Sequence, residues 1–442
     1  MAYQNMDVHT VSKRKTYSKG LLLVAAVGTV LFALIVGLAV GIPLTKRSLT
    51  QSLTPLQRAR QLLQQTPLID GHNDLPYRYT IYADNSVETV NLRERPPNWN
   101  ISHTDIDRLR RGQVGAQFWA AFVLCKTQQK DAVRATLEQI DVIKRYVALY
   151  PDVFEFVTSA QGILDAFKRK RIASLIGVEG GHSIDSSLGA LRMMYDLGTR
   201  YMTLTHNCNT PWADNSIVDS GKQTAQFPKT GLNDFGKHAE KKSYLQEVVR
   251  EMNRIGMLVD ISHVSEAVMM TVLNISEAPV IFSHSSSYAL CAHSRNVKDT
   301  TLKFLAEKNK GVVMVNFFSN FINCPPAYNS TLANLTMVAD HIDHIKNVAG
   351  ADHVGIGADY DGVPWVPEGL DDVSKYPELF AELIMRGWSD DDLKKLAGEN
   401  LLRVFKKAEE VRDRMSQMKP IDTVIPLESV ANVSCRTRLP TP

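Results

Sequence analysis

Apolar runs recur along the chain, and most of them end on residues of the types that bind metals or move protons. The first is Pro67–Ile69, which leads through Asp70 and Gly71 to His72 and Asp74. The next are Val114–Val123, Ala173–Val178 ending at Glu179, and Tyr201–Thr205 ending at His206. Met257–Ile261 ends at Ser262-His263, and Pro279–Ser283 ends at His284. Gly311–Asn316 follows, and His353–Ala358 ends at Asp359-Tyr360-Asp361-Gly362. These runs do not alternate apolar with polar, which marks strands buried on both faces, as in a parallel sheet. Patterns of helical period stand between them, at Asp131–Leu149, Phe235–Ile255 and Val338–Ala349. Pro55–Gln65 precedes the first run, and Ser389–Met418 after the last is also helical.

Strands interleaved with helices predict an α/β fold. A doubly wound open sheet would gather its ligand at one crevice. Here ligand-type residues follow the first, third, fourth, fifth, sixth and eighth runs, and a closed ring brings them together most simply. The pattern predicts a (β/α)8 TIM-type barrel over 55–418, with its site at the C-terminal ends of the strands. Arg95–Asn100 and Asn215–Asn233 read as excursions beside it.

Ahead of the barrel, Gly20–Leu44 is uncharged and apolar. It is long enough to span a bilayer as a tilted helix and longer than the apolar region of a cleaved signal peptide. Lys13, Arg14, Lys15 and Lys19 precede it, against Lys46 and Arg47 behind. This bias predicts a signal anchor of single-pass type II topology in the plasma membrane. A cytoplasmic tail (1–19) and a stalk (45–54) would flank the anchor, the barrel would be extracellular, and 419–442 would form a C-terminal tail.

Composition narrows this further. Hydrophobic residues make up 44% of the 442 and charged residues 22%, enough for one large core. The net charge of +3 with mixed signs leaves no nucleic-acid footprint. The five cysteines, Cys125, Cys208, Cys291, Cys324 and Cys435, form no CxxC pair. In an oxidising compartment they imply two bridges and an odd thiol, with the pairing open. Glycosylation acceptors at Asn100, Asn274, Asn329, Asn334 and Asn432 all follow the apolar run, as an ectodomain requires.

The strand-end residues supply the chemistry. His72 and Asp74 project to the same side of an extended strand and can reach one ion together. With Glu179, His263 and His284 they form a set of nitrogen and oxygen donors suited to zinc. A single catalytic zinc usually takes three protein ligands, so five, with a Glu able to bridge, imply two ions that share and activate a water. Gly180 and Gly181 leave the backbone room to turn away. One His at a strand end is commonly structural, and His103, His182, His238, His293, His341, His344 and His353 are assigned structural or surface roles. The recurrence at five positions argues for metal.

Five stretches carry a resemblance: DGHND at 70–74, GVEGGHSIDSSLGALR at 177–192, LTHNCNTPWADN at 204–215, SHSSSYALCAHSRNV at 283–297 and GADYDGVPWVPEGLDDVSKYP at 357–377. From about residue 55 to Cys435 the chain resembles the membrane dipeptidase (renal dipeptidase) family, dinuclear-zinc hydrolases of dipeptides on an amidohydrolase-like barrel. Certain members also accept a cysteinyl leukotriene and some β-lactams. The resemblance implies that His72 and Asp74 hold one zinc, that His263 and His284 hold the other, and that Glu179 bridges them. It implies that His206 polarises the scissile carbonyl, Arg295 pairs with the substrate carboxylate, and Asp359 shuttles a proton from a metal-bridging hydroxide to the leaving amine. It further implies Cys125–Cys208 and Cys291–Cys324 bridges, with Cys435 joining two subunits of a homodimer.

Two features depart from the familiar members. Those are anchored by a C-terminal lipid, which needs an apolar tail, whereas CRTRLPTP ends this sequence and the N-terminal anchor is expected to replace it. Tyr77 and Phe321 stand where Trp and Tyr are expected, which bears on side-chain preference. The rival readings are a cyclic-amide hydrolase, which would bridge its metals with a modified Lys that no strand here offers, and a catalytically silent surface receptor, which a missing ligand would signal.

Overall fold

The computed structural model describes residues 20, 24, 26–36, 53–220, 244–324 and 333–425. The chain divides into two units, Met1–Thr54 and Pro55–Pro442. In the first, residues 26–36 are helical, and among the described residues no helix is long and apolar enough to cross a membrane. The expected tail 1–19, residues 21–23, 25 and 37–44 of the expected anchor and nearly all of the stalk lie outside the described residues, as do Asn329, Asn432 and Cys435.

In the second unit each of the eight apolar runs forms a strand. In chain order the strands are β1 (Leu68–Asn73), β2 (Val114–Phe122), β3 (Phe154–Phe156), β4 (Ile172–Glu179), β5 (Thr199–Thr203), β6 (Leu258–Asp260), β7 (Ile281–Phe282), β8 (Val312–Val315) and β9 (Val354–Ile356). Neighbours run parallel in the order β2-β1-β9-β8-β7-β6-β5-β4, and pairing of β2 with β4 closes a ring of eight. The addition is β3, whose three residues pair with Ile172–Ser174, ahead of Ile176 where β5 joins β4. The barrel expected from the sequence is present.

Alternation along each strand sorts the apolar residues into two cores. Ile69, Ala116, Phe118, Leu175, Tyr201, Leu258, Val312 and Met314 form one, together with Leu401, Val404, Phe405 and Ala408 of the helix Asn400–Arg414. This is the filled barrel interior, capped by that helix. Their strand neighbours Leu68, Trp119, Val178, Met202, Val259, Phe282, Val313 and Val315 face outward, under the surrounding helices.

The helical patterns fold as expected over Pro55–Leu63, Ala132–Leu149, Tyr244–Ile255 and Leu335–Ala349. Ala132–Leu149 buries Thr136, Ile140, Ile143 and Val147, spaced three or four apart as one helix face requires. The C-terminal region departs in detail. A π-helical turn, Lys395–Glu399, joins Asp390–Lys394 to Asn400–Arg414. Within that turn a Cβ on Gly398 would stand 2.4 Å from Pro67 O, so only glycine lets the turn approach the start of β1 this closely.

Candidate metal centre

The residues singled out at the strand ends converge. His72 lies near the end of β1 itself, because that strand extends through the DGHN sequence rather than stopping at Ile69. Asp74 follows as the residue before the helix Leu75–Ala83. Glu179 closes β4, and His206, His263 and His284 lie in the turns after β5, β6 and β7. His72 Nε2 stands 3.2 Å from Asp74 Oδ2 and 3.6 Å from Glu179 Oε2. The other oxygen, Glu179 Oε1, stands 3.1 Å from His263 Nε2, 3.5 Å from His284 Nε2 and 4.0 Å from His206 Nε2. One carboxylate thus turns an oxygen to each of two groups of donors.

The partners behind the imidazoles set the protons. The Tyr201 hydroxyl donates to Gly71 O (3.1 Å) and so accepts from His72 Nδ1 (2.9 Å). The Ser283 hydroxyl donates to Asp260 Oδ2 (2.6 Å) and accepts from His284 Nδ1 (2.8 Å). His263 Nδ1 donates to Asn207 Oδ1 at 3.3 Å. In each ring Nδ1 carries the hydrogen, and in the neutral ring Nε2 presents a lone pair. His72 Nε2 is buried without a hydrogen-bond partner, and His263 Nε2 faces His284 Nε2 at 3.0 Å. Two lone pairs repel at that distance, whereas ligands on one tetrahedral zinc sit about 3.3 Å apart. These imidazole nitrogens beside Asp74, Glu179 and Asp359, which also lies within reach of His72, fit divalent cations.

The electrostatics agree. Burial, reinforced by the charge of Arg295, holds His263 well below the usual histidine range. Burial does the same to His284, with His72 and Arg295 adding to it. Burial also works to lower His72, but Tyr201, Glu179 and Asp74 outweigh it and raise that ring well above its usual range. Protein atoms alone therefore place a positive charge among the carboxylates. Asp359 is pushed well above the carboxylate range, chiefly by burial, with His72 opposing and Asp74 and Glu179 adding.

Backbone strain fixes several of these side chains. His263, Asp359 and Asp361 hold φ of 64°, 66° and 64°, the left-handed region that costs a non-glycine residue energy and clusters at functional sites. Gly362 is required beside them, since a Cβ there would meet Asp74 Oδ2 at 2.2 Å and Asp359 Oδ1 at 2.5 Å.

A cleft of about 260 Å³ opens over the centre, floored by Asp74, Glu179, His206, His263 and Asp359 and walled by Tyr77, Phe122, Phe318 and Phe321. Arg295 closes one side. Its guanidinium reaches Ser285 Oγ (3.3 Å) and His284 O (3.2 Å), while Nε is buried and unpartnered. Burial lowers it to about 10, leaving it cationic at neutral pH. His206 packs between the rings of Phe122 (4.7 Å) and His263 (4.5 Å), and burial keeps it neutral.

Cys125–Cys208 and Cys291–Cys324 both form disulfides, the pairing the resemblance implies. Asn100 and Asn274 are exposed, and Asn334 caps the helix Leu335–Ala349 through Oδ1 to Met337 N.

Sequence reasoning passed over Tyr201, Ser283, Asn207 and Asp260, which orient the histidines, and the role of Asp70. Asp70 is fully buried and accepts from His72 N, Ala358 N and the Tyr376 hydroxyl, tying the motif of β1 to β9. Burial pushes its carboxyl up to about 6 against those bonds. The available signal was an acidic side chain placed directly behind the apolar run Pro67–Ile69, at the head of the DGHND stretch.

Comparison with known proteins places this geometry. Residues 56–419 match the family model for membrane dipeptidase, peptidase family M19. Dipeptidase 3 of Macaca fascicularis is 45% identical over 390 residues, 88% of this chain and 75% of that protein. Dipeptidase 3 of Homo sapiens is 44% identical over 382 residues, 86% and 73% respectively. Among solved structures, a metallopeptidase dipeptidase of family M19 superposes with a TM-score of 0.67 at 24% identity, covering 78% of this chain and 98% of that one. A metallopeptidase from Rhodobacter sphaeroides, solved with a phosphinate mimic of the dipeptide L-Ala-D-Ala, gives 0.67 at 22% identity, with 78% and 99% covered. Those two likenesses carry the fold, and the sequence matches carry the family: this chain belongs to the membrane dipeptidases of peptidase family M19 and is a metallo-dipeptidase.

Proposed function

We propose that the chain is a zinc enzyme with two ions per chain that hydrolyses free dipeptides outside the cell. The observation that carries this is the set of three imidazoles, each with Nδ1 engaged and Nε2 turned to one of the two Glu179 oxygens. His72 and Asp74 would hold one ion, His263 and His284 the other, with Glu179 shared. Bound there, the pair would supply Lewis acidity and lower the pKa of a water between them.

The remaining steps belong to side chains. Arg295 offers its unpartnered Nε to the substrate carboxylate, which selects dipeptides by their length. His206, neutral beside Phe122, donates a hydrogen bond from Nε2 to the scissile carbonyl oxygen as charge develops there. Asp359, whose carboxylate is made more basic by burial, takes a proton from the attacking water and delivers it to the leaving amine.

The apolar run 20–44 would anchor the protein as a single-pass type II plasma-membrane protein. Cys435 would link a homodimer, and the sequon asparagines would carry glycans. A band of half the mass under reducing conditions checks the dimer. An N-terminus of the mature protein beginning after residue 44 would refute the anchor.

The test of function is hydrolysis of a dipeptide panel by the zinc-loaded protein, with a chelator control and His263→Ala. Cleavage of free dipeptides, lost with chelator and in the folded variant, is expected, with about two zinc per chain by elemental analysis. A folded, zinc-loaded protein that cleaves none of them sinks the proposal.

A further inference from the structure

His206 stands on a segment with little structure of its own: residues 204–209, after β5, are bends without helix or strand. What holds it comes from elsewhere. Cys208, two residues on, is joined to Cys125 in the short helical turn Cys125–Thr127 that follows β2. Cys125 Sγ lies 3.9 Å from His206 Nδ1. Next to that turn, Gln128 Nε2 donates to Asn209 O at 2.8 Å. On the opposite side Asn207 Oδ1 accepts from His263 Nδ1 at 3.3 Å. The segment is therefore gripped between the turn after β2 and the histidine after β6, with His206 in the middle.

We propose that the Cys125–Cys208 disulfide, seconded by Gln128, is a positioning clamp for His206, so that the bridge sets turnover rather than the fold of the barrel. The inference rests on the reading of His206 as the residue that meets the substrate carbonyl. The eight-stranded ring closes without help from the bridge, through β2–β4 pairing from Ala116↔Ala173 to Phe122↔Glu179. The bridge lies above that pairing, where only the loops need fixing. The bridge can also be opened. A reductant thiolate attacks Cys125, the less buried of the two residues, and Cys208 leaves as a thiolate and takes up a proton. A second reductant thiol then displaces Cys125, so two electrons end on two protein thiols and the reductant departs as its disulfide.

Misplacement by about 1 Å can cost a catalytic group about 100-fold in rate. The test is a double-mutant cycle on the zinc-loaded protein, pairing Cys125→Ser/Cys208→Ser with His206→Ala and measuring kcat, KM and zinc content. In the wild-type background, loss of the bridge is expected to lower kcat about 10- to 100-fold with KM within about twofold and zinc retained. In the His206→Ala background the same loss should cost less than about threefold, because the clamp then has nothing to position. Gln128→Ala, which leaves the bridge intact, should give a smaller drop with the same non-additivity and serves if the serine variant does not fold. Equal losses in both backgrounds, or an unchanged kcat, overturn the clamp and leave the role of His206 standing. Wild-type turnover by His206→Ala alone removes the role of His206, and the clamp with it.

Discussion

Replacing Tyr201 with Phe would isolate one hydroxyl in the floor of the metal centre. The ring must stay, because it lies across Gly177 so closely that a Cβ there would come within 2.0 Å of it. Phenylalanine keeps that ring and removes only the oxygen between Gly71 O and His72 Nδ1. In the wild type that oxygen holds the His72 hydrogen on Nδ1. Without it the neutral ring can carry its hydrogen on Nε2 instead, drawn by the charges of Asp74 Oδ2 at 3.2 Å and Glu179 Oε2 at 3.6 Å. Zinc then needs the neutral ring in its less favoured tautomer, whereas the neutral wild-type ring already presents a lone pair at Nε2. Loss of such an orienting partner typically weakens metal binding 10- to 100-fold, which is about 1.4–2.7 kcal/mol.

The stability cost is separate. Gly71 O and His72 Nδ1 are left buried without a partner, at about 1–3 kcal/mol each, but this applies to apo and loaded protein alike and cancels from the affinity. The assay is competition for zinc against a chromophoric chelator, with the melting temperature of the apo protein measured alongside. One of the two binding steps, that of His72 and Asp74, is expected to weaken. If both steps stay within about twofold of wild type while the melting temperature falls, Tyr201 packs the barrel and does not orient the ligand.

Three further outcomes follow from the geometry. Gly362→Ala places a methyl against Asp74 and Asp359, and kcat should fall by at least about 100-fold with the near-ultraviolet circular dichroism unchanged; wild-type turnover would contradict this. Arg295→Lys replaces a planar fork with a point charge, so kcat/KM for dipeptides should fall about 10- to 100-fold while poor cleavage of dipeptide amides stays as it was. His341 accepts from Ser287 N through Nδ1 and donates to Ile322 O through Nε2, and burial lowers it to about 4. The unfolded chain takes up a proton below the ordinary histidine value of about 6.5, and the native ring refuses it until about 4. Stability should therefore fall as pH drops through that window, by up to about 1.4 kcal/mol per pH unit for this group. On chelated protein, where metal loss plays no part, thermal melts of His341→Gln should show a shallower slope than wild type.

The barrel was legible because its strands are buried on both faces and so read as unbroken apolar runs between amphipathic helices. Even the weakest, Pro67–Ile69, was placed correctly, although its strand extends four residues further. Polar Asp70, His72 and Asn73 disguise that extension, and each is wholly buried. β3 was not legible for the opposite reason. Phe154-Glu155-Phe156 is too short to separate from a loop, and it forms only because Ile172–Ser174 offer a free edge there.

The convergence of the candidate donors was legible because each sits where a strand of the ring ends, a position the run of apolar residues announces. Their supports were not, because support depends on which strand stands next to which. Tyr201 serves His72 across 129 positions of sequence, so the ring is placed by β1 while its proton is fixed from β5. Asp260 reaches His284 only through Ser283, and the same carboxylate accepts from Thr203, Ser262 and Ser283. Inside an apolar strand such a carboxylate looks like an interruption of the pattern. Its burial would be costly without those four donors, so a polar residue that interrupts a buried strand implies a network waiting on its neighbours. Ring closure decides who those neighbours are, and here it turns three histidines with separate partners toward the two oxygens of Glu179.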